Sequence, residues 1–179
     1  MNIFWGLLGF VFYFIYDLNQ VYCIHSVCKS FFSIGSFWIV FVTIMNLSFP
    51  IEHFMGVVGL AFGLIAEIYI LFFALNFKDT YVEESFSVCD RGVYALCRHP
   101  GLYSFLSIYL GLYWMHPSEG MFWIGIVYNL FNFLYIVFQD VFVFPRLFEG
   151  YTEYKKTTPF LWMNKKSIKK CVNDFRGLQ

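Results

Sequence analysis

The apolar residues of this chain are gathered into five long stretches, separated by short polar connections. A helix that crosses a bilayer needs about 20 mostly apolar residues, because the hydrocarbon core is about 30 Å thick and a helix rises about 1.5 Å per residue. The pattern therefore predicts an all-α, polytopic membrane helix bundle with about five transmembrane helices. The predicted spans are residues 2–18, 31–49, 54–77, 100–115 and 120–144.

Two of these stretches need a comment. The first has neither the basic n-region nor the small-residue cleavage site of a signal peptide, so we interpret it as a retained helix. The fourth is short for a span. With no internal repeat and no linker between the stretches, we expect one membrane domain over residues 1–179.

Composition supports a membrane protein. Of the 179 residues, 59% are apolar, 24% are aromatic and only 13% are charged, whereas a soluble domain is about one quarter charged. So little polar surface excludes a secreted disulfide scaffold, a disordered tail and a nucleic-acid binder. The expected partners are therefore membrane lipids and apolar molecules, with no nucleic acid.

The net charge of zero hides an uneven distribution of the 12 basic residues. All of them lie after the first, third or fifth stretch, and the two opposite connections, around residues 50–53 and 116–119, contain none. Because cytosolic loops carry the excess of Lys and Arg, the N-terminus is predicted outside and the tail, residues 146–179, in the cytosol. The long polar segments 78–100 and 146–179 then share the cytosolic side, where we expect the chemistry.

The cysteines do not form a metal signature. Cys23, His25 and Cys28 come closest, but a second pair of ligands at a usual spacing is lacking, so no metal is predicted. The five cysteines are an odd number and lie on or near the predicted cytosolic side, where thiols stay reduced.

The C-terminal tail carries a basic stripe after Trp162. Its lysines recur at helical spacing and are Lys165, Lys166, Lys169 and Lys170. A basic stripe beside an interfacial tryptophan is typical of a helix that lies on anionic lipid headgroups. The alternative is a charge that only sets topology, and the sequence does not choose between the two.

Two acids stand out because they lie in apolar stretches. Glu67 is well inside the third stretch, where a carboxyl group is costly and usually faces a cavity or a partner. A functional role and an interhelical hydrogen bond are equally good interpretations of Glu67. Asp140 lies nearer the predicted cytosolic edge, beside Gln139.

The densest polar chemistry precedes the fourth stretch. Arg98 and His99 stand directly before Pro100, and proline favours the first turn of a helix because its missing N–H costs nothing there. The free N–H groups of that turn, with Arg98 and His99, would suit a carboxylate or phosphate. On spacing alone, the better interpretation is that the pair simply marks the cytosolic boundary of a helix.

These segments resemble a known family. Residues 92–94 (GVY) and 98–100 (RHP) are followed by a predicted hairpin and by residues 139–159 (QDVFVFPRLFEGYTEYKKTTP). This order of motifs resembles the isoprenylcysteine carboxyl methyltransferase and phospholipid methyltransferase superfamily, over about residues 60–163. The resemblance implies an S-adenosylmethionine-dependent methyltransferase whose cytosolic segments close over the cofactor.

The resemblance also implies roles for individual residues. Asp140 would suit the α-amino group of the cofactor, and Arg98 and His99 its carboxylate. Tyr103 stands one residue after the family's tyrosine position, and Val141 replaces the second acid of the family's pair. The implied cofactor-binding residues are Tyr94, Arg98, His99, Gly101, Tyr103 and Asp140.

The acceptor is expected to be lipid-like or a small apolar molecule with a carboxylate, thiol or amine. A thiol or amine needs a base, for which His99, Glu67 and Asp140 are open candidates. For a carboxylate acceptor, Arg146 and Tyr151 are placed to position it, so the catalytic candidates are Glu67, Arg146 and Tyr151. The competing interpretations are an NADPH-dependent membrane reductase of the sterol reductase type and a non-enzymatic membrane adaptor.

Overall fold

The computed structural model describes residues 3–23, 25–47, 50–74 and 88–177. The described residues are organised as helices, as predicted. The end residues of three predicted spans (2, 48–49 and 75–77) and Lys78 lie outside the described residues. The α-helices are α1 (Phe4–Tyr22), α2 (Phe31–Met45), α3 (Phe54–Tyr69), α4 (Val93–Leu96), α5 (Gly101–Met115), α6 (Glu119–Phe138), α7 (Phe144–Leu147), α8 (Tyr151–Thr157) and α9 (Lys165–Gly177).

Among the described residues, three helical stretches are long and apolar enough to cross a membrane, which indicates an integral membrane protein. They are Ser26–Met45, Phe54–Ala74 and Glu119–Leu147. They correspond to the second, third and fifth predicted spans. The fourth predicted span is α5, a helix of 15 residues, and the first is α1, which carries the buried polar residues Asp17 and Asn19 near its end. Five crossings and the orientation of the termini stay predictions.

The helix ends differ from the predicted ends where polar groups intervene. α1 continues past residue 18 to Tyr22, and its carbonyl at Asn19 is capped by the backbone N–H of Cys23. α2 stops at Met45, because the side chain and backbone N–H of Asn46 turn back onto the last carbonyls of the helix. α3 and α6 each end in a π-helical turn, Ile70–Ala74 and Gln139–Val143.

The most extensive helix contact joins α3 and α5. A Cβ on Gly56 would lie 2.3 Å from the backbone nitrogen of Met115, and a Cβ on Gly111 would lie 2.3 Å from the backbone nitrogen of Leu60. Ser107 also donates a hydrogen bond to the carbonyl of Gly59 at 2.9 Å. Small residues thus let the two backbones touch, which is how helices pack where the hydrophobic effect cannot drive them together.

The other helices close around a core of buried aliphatic and tyrosine side chains. Tyr109 of α5 and Tyr128 of α6 are fully buried, with ring centroids 5.4 Å apart in an edge-to-face arrangement. Their hydroxyls are paired: that of Tyr128 accepts from the backbone N–H of Gly6 at 2.9 Å, and that of Tyr109 lies 3.1 Å from Thr43 Oγ1. These bonds tie α1 and α2 to the α5–α6 hairpin.

Candidate active site at the Asp140 cluster

Asp140 is presented by the π-helical turn that ends α6. Pro145, early in α7, has no N–H to offer the carbonyl four residues before it, so the regular ladder cannot continue through this region. The wider turn changes the direction of successive side chains. Gln139 donates to Asp17 of α1 at 3.0 Å, while the neighbouring Asp140 is 4% exposed and faces Arg98.

Four side chains converge on the Asp140 carboxylate, and we call these five residues the Asp140 cluster. On Oδ1, the Tyr151 hydroxyl donates at 2.7 Å and His99 Nε2 lies at 3.4 Å. On Oδ2, the Lys155 ammonium lies at 2.8 Å. Arg98 reaches both oxygens, with Nε 2.8 Å from Oδ1 in an ionic contact and Nη2 donating to Oδ2 at 3.3 Å.

Arg98 is held by the last turn of α8 and the segment that follows it. Its backbone N–H donates to the carbonyl of Pro159 at 3.0 Å, and its Nη1 donates to the carbonyls of Lys155 and Thr158, both at 3.1 Å. Its guanidinium lies over the ring of Phe160, 5.6 Å from the centroid. The segment before α5 and the segment after α8 are therefore one structural unit, although about 60 residues separate them in the chain.

His99 is packed between two aromatic rings. Its imidazole stacks on Phe144 at 5.9 Å and meets Phe160 edge-to-face at 5.1 Å. Burial lowers the pKa of His99, and the neighbouring Asp140 opposes that shift only in part. His99 is therefore neutral at neutral pH, and because a carboxylate only accepts hydrogen bonds, Nε2 carries the proton.

The electrostatic balance of the cluster is positive. With His99 neutral, the two cations Arg98 and Lys155 face one carboxylate and leave one unit of positive charge. Burial and the bond to Asp140 raise the pKa of Tyr151, so its phenol stays protonated as a donor. The nearby Cys97 is 1% exposed, and burial raises the pKa of its thiol to about 11, which makes it an unreactive thiol.

The other predicted cofactor-binding residues, Tyr94, Gly101 and Tyr103, lie on the helices and segments that carry the cluster. The carbonyl of Tyr94 accepts a hydrogen bond from the Tyr154 hydroxyl at 2.6 Å, which fixes α4 against α8. Gly101 opens α5. The side chain of Tyr103 is 36% exposed and its hydroxyl donates to the carbonyl of Leu161 at 2.9 Å. Tyr103 thus secures the returning segment.

The other two predicted catalytic residues lie apart from these contacts. Glu67 accepts a hydrogen bond from Ser104, and its Oε2 lies 3.8 Å from the position of a Cβ on Gly101, so it faces the first turn of α5. Arg146 is exposed, donates to the carbonyl of Phe142 at 2.6 Å and covers the ring of the same residue. The contacts of Arg146 are therefore within its own helical turn.

Two residues of the site escaped the sequence argument. Lys155 is one of several lysines of the tail that the sequence does not distinguish, yet it is four residues after Tyr151, and side chains at that spacing share a helix face. Thr158 is 1% exposed, and its hydroxyl has no hydrogen-bond partner in the part of the chain that the structure describes. No sequence signal marks Thr158.

No protein-family model, curated protein or solved structure matches this chain. Among the described residues, no group of three or more His, Cys, Asp or Glu side chains is arranged to hold a metal ion. The function proposed below therefore rests on the residues of this chain, and above all on the Asp140 cluster.

Proposed function

We propose that this protein is an integral-membrane, S-adenosylmethionine-dependent methyltransferase that acts on a lipid-like or small apolar acceptor. The observation that carries the proposal is the Asp140 cluster. In it, Asp140 binds Arg98, which is 42 positions earlier in the sequence, together with the neighbouring His99. Asp140 also binds Tyr151, which is 11 positions later. These are the segments in which the chain resembles the isoprenylcysteine carboxyl methyltransferase and phospholipid methyltransferase superfamily.

The charges of the cluster fit the amino-acid end of the proposed cofactor. Arg98 and the surplus positive charge suit its carboxylate. Both oxygens of Asp140 already accept donors, so an α-ammonium group needs a contact that can be vacated. Lys155 supplies it, because its side chain is the exposed member of the cluster at 32% and its ammonium on Oδ2 has the charge and donors of an α-ammonium group.

The proposed cofactor supplies an electrophilic methyl group. The chain's own residues position the acceptor against that group and shield both from water. Such a displacement depends on near-attack geometry more than on acid–base work when the acceptor is anionic. For a thiol or amine, the side chain that takes the proton is His99, which is neutral, or Glu67 beside the first turn of α5. Asp140 is less suited, since its oxygens are occupied.

The proposal includes five crossings with the Asp140 cluster at the cytosolic end. At the other end of the α3–α5 pair, the two connections without cations meet: the backbone N–H of Glu52 donates to the carbonyl of Met115 at 2.8 Å, and His116 Nδ1 lies 2.6 Å from Glu52 Oε1. This antiparallel arrangement supports a bundle with a basic and a non-basic end. By the positive-inside bias, the basic end is cytosolic.

Calorimetry on detergent-purified protein tests the proposal with S-adenosylmethionine and NADPH as separate ligands. We expect binding of S-adenosylmethionine alone. Asp140→Asn should weaken it about 10- to 100-fold, the value of one or two charge-assisted hydrogen bonds. The control is Glu153→Gln, which removes an exposed ion pair with Lys156 and leaves the cluster intact.

Each other outcome has a defined meaning. Binding of NADPH alone would overturn the proposal in favour of the reductase, and binding of neither ligand would favour the adaptor. If S-adenosylmethionine binds but Asp140→Asn and His99→Ala both bind it normally, the site is elsewhere. Methylated products in membrane extracts incubated with labelled cofactor would then identify the acceptor class.

A further inference from the structure

Helix α9 has an inner face that is docked on the protein. Ser167 and Cys171 are buried, and the Asp174 carboxylate accepts a hydrogen bond from the backbone N–H of Gly92 at 3.1 Å. Lys170 pairs with Asp90 at 2.7 Å. These contacts hold α9 against the segment that leads through α4 into the Asp140 cluster, so the helix has a fixed orientation.

With that orientation fixed, an apolar stripe of α9 faces outwards. Ile168, Val172 and Phe175 are 46%, 43% and 45% exposed. Because a helix turns about 100° per residue, these three side chains lie within about 60° of one another. A soluble protein would cover such a stripe, and nothing among the described residues does so.

A row of cations borders the apolar stripe. Lys165, Lys169 and Arg176 follow the stripe at its polar edge, and Lys166 lies farther round the same side. Within the described ranges, these four cations have no acidic partner, whereas Lys170 is paired with Asp90. An apolar stripe beside unpaired cations is complementary to an anionic lipid surface.

The position of α9 supports the same occupant. The chain enters α9 through Leu161, whose carbonyl is bonded to Tyr103 in the first turn of α5. That turn is beside Glu67, about two helical turns from the end of the apolar stretch Phe54–Ala74. Trp162, 85% exposed, follows at once. The segment that leads into α9 is therefore anchored beside the last turns of a stretch that is long and apolar enough to cross a membrane.

From these observations we infer that α9 is an interfacial helix that binds an anionic membrane surface, with Ile168, Val172 and Phe175 among the acyl chains and the four cations at the headgroups. This inference does not depend on the methyltransferase proposal. Its consequence is that a lipid contact on the outer face of α9 stabilises the segment from Asp90 to Leu96 on its inner face.

Hydrogen–deuterium exchange of the full chain in nanodiscs tests the inference. The probes are bilayers of phosphatidylcholine alone and with about 30% phosphatidylserine. We expect amides of residues 165–177 to exchange at least about tenfold more slowly in the anionic bilayer. Peptides from α8 serve as the internal reference for any effect of surface potential on exchange itself.

Two sets of substitutions separate charge from burial. Replacing Lys165, Lys166 and Lys169 with Gln should remove most of the lipid-dependent protection, because each charge near the surface contributes about fivefold to the affinity for anionic lipid. Ile168→Ser with Val172→Ser should speed the exchange of residues 165–177 in both bilayers. Lys156→Gln, which neutralises a cation outside α9, should leave that exchange unchanged. Circular dichroism verifies that each variant keeps its helices.

Equal exchange of residues 165–177 in neutral and anionic bilayers would overturn the inference. That result would leave the apolar stripe to a protein partner. Protection that is equal in the Gln variants and the native chain would likewise contradict an electrostatic contact with lipid.

Discussion

Two regions hold distant parts of this chain together by opposite means. The α3–α5 pair does so by close packing: Gly56 and Gly111 have no side chains, so the two backbones touch. The Asp140 cluster does so by hydrogen bonds and ion pairs, since four side chains from two distant segments converge on one carboxylate. The α3–α5 pair has no room for a side chain at Gly56 or Gly111, and the Asp140 cluster depends on the charge of one carboxylate.

The difference follows from the surroundings of each region. Within lipid there is no hydrophobic gain from bringing two apolar helices together, so close packing and a few interhelical hydrogen bonds must suffice. A buried carboxylate such as Asp140 is stable only when its charge and lone pairs are matched. The first region is therefore built for rigidity, and the second keeps groups, such as Lys155, that can exchange partners.

The largest effect is expected at the cluster. Asp140→Ala leaves Arg98 without its buried counter-charge, and breaking such a pair typically costs about 3–5 kcal/mol of unfolding free energy. Chemical or thermal unfolding in detergent measures it. The control Glu153→Gln, on the exposed face of α8, should cost less than about 1 kcal/mol. Equal costs would show that the cluster is not a stabilising unit.

The next effect concerns the glycine contact. Gly111→Ala places a Cβ 2.3 Å from the Leu60 nitrogen, so α3 and α5 must separate, at a cost of about 1–3 kcal/mol or more. Gly59→Ala in the same interface has its nearest atom, the Gly111 Cα, at 3.4 Å and should cost much less. The same unfolding assay compares them. If the two variants are equally stable, the backbones are not in contact at Gly111.

A smaller effect comes from pH. Burial lowers the pKa of His99 below its unfolded value of about 6.5, so the unfolded state binds more protons as the pH falls below that value. Neutral His99 makes its full contribution to the free energy of unfolding above about pH 6.5. That contribution is lost as the pH falls towards the folded pKa, with a slope of at most about 1.4 kcal/mol per pH unit. Unfolding measured between pH 7.5 and 5.5 should show a loss that His99→Asn reduces, and an unchanged slope in that variant would contradict it.

The smallest effect is expected at the rim of the site. Tyr103→Phe removes the hydrogen bond to the Leu161 carbonyl from a partly exposed ring, at a cost of about 0.5–1.5 kcal/mol. The returning segment, residues 159–163, should exchange its amides faster, while α6 is unchanged. If exchange in that segment is unaffected, Tyr103 does not secure it.

Much of the fold could be predicted from the sequence because lipid restricts the choices. Runs of apolar residues long enough to span can only be helices there, so Phe54 was predicted as the start of α3, and α5 was predicted to within one residue. The π-helical turn at Gln139–Val143 could not be predicted in this way, since it depends on Pro145 and on a polar partner for Gln139 in α1. Neither leaves a periodic signal.

For the candidate site, the chemically important residues could be predicted from the sequence, but the contacts between them could not. Arg98, His99, Asp140 and Tyr151 were each marked by a polar side chain in an apolar setting. The sequence predicts separate contacts for Arg98 and Asp140, with the carboxylate and the α-amino group of one ligand, whereas in the structure the two side chains bind each other. Lys155 had no distinguishing feature until the turn of α8 set it beside Tyr151.

The sequence by itself determined that this chain is helical and apolar, with stretches long enough to cross a membrane, because these properties are sums over many residues and survive any small error in position. Only the tertiary structure decided which charges neutralise each other and which stay free. That depends on distances of a few ångström between segments some 40 to 60 residues apart. Electrostatic energy changes steeply over such distances, so the pairing of Asp140 had to come from the fold.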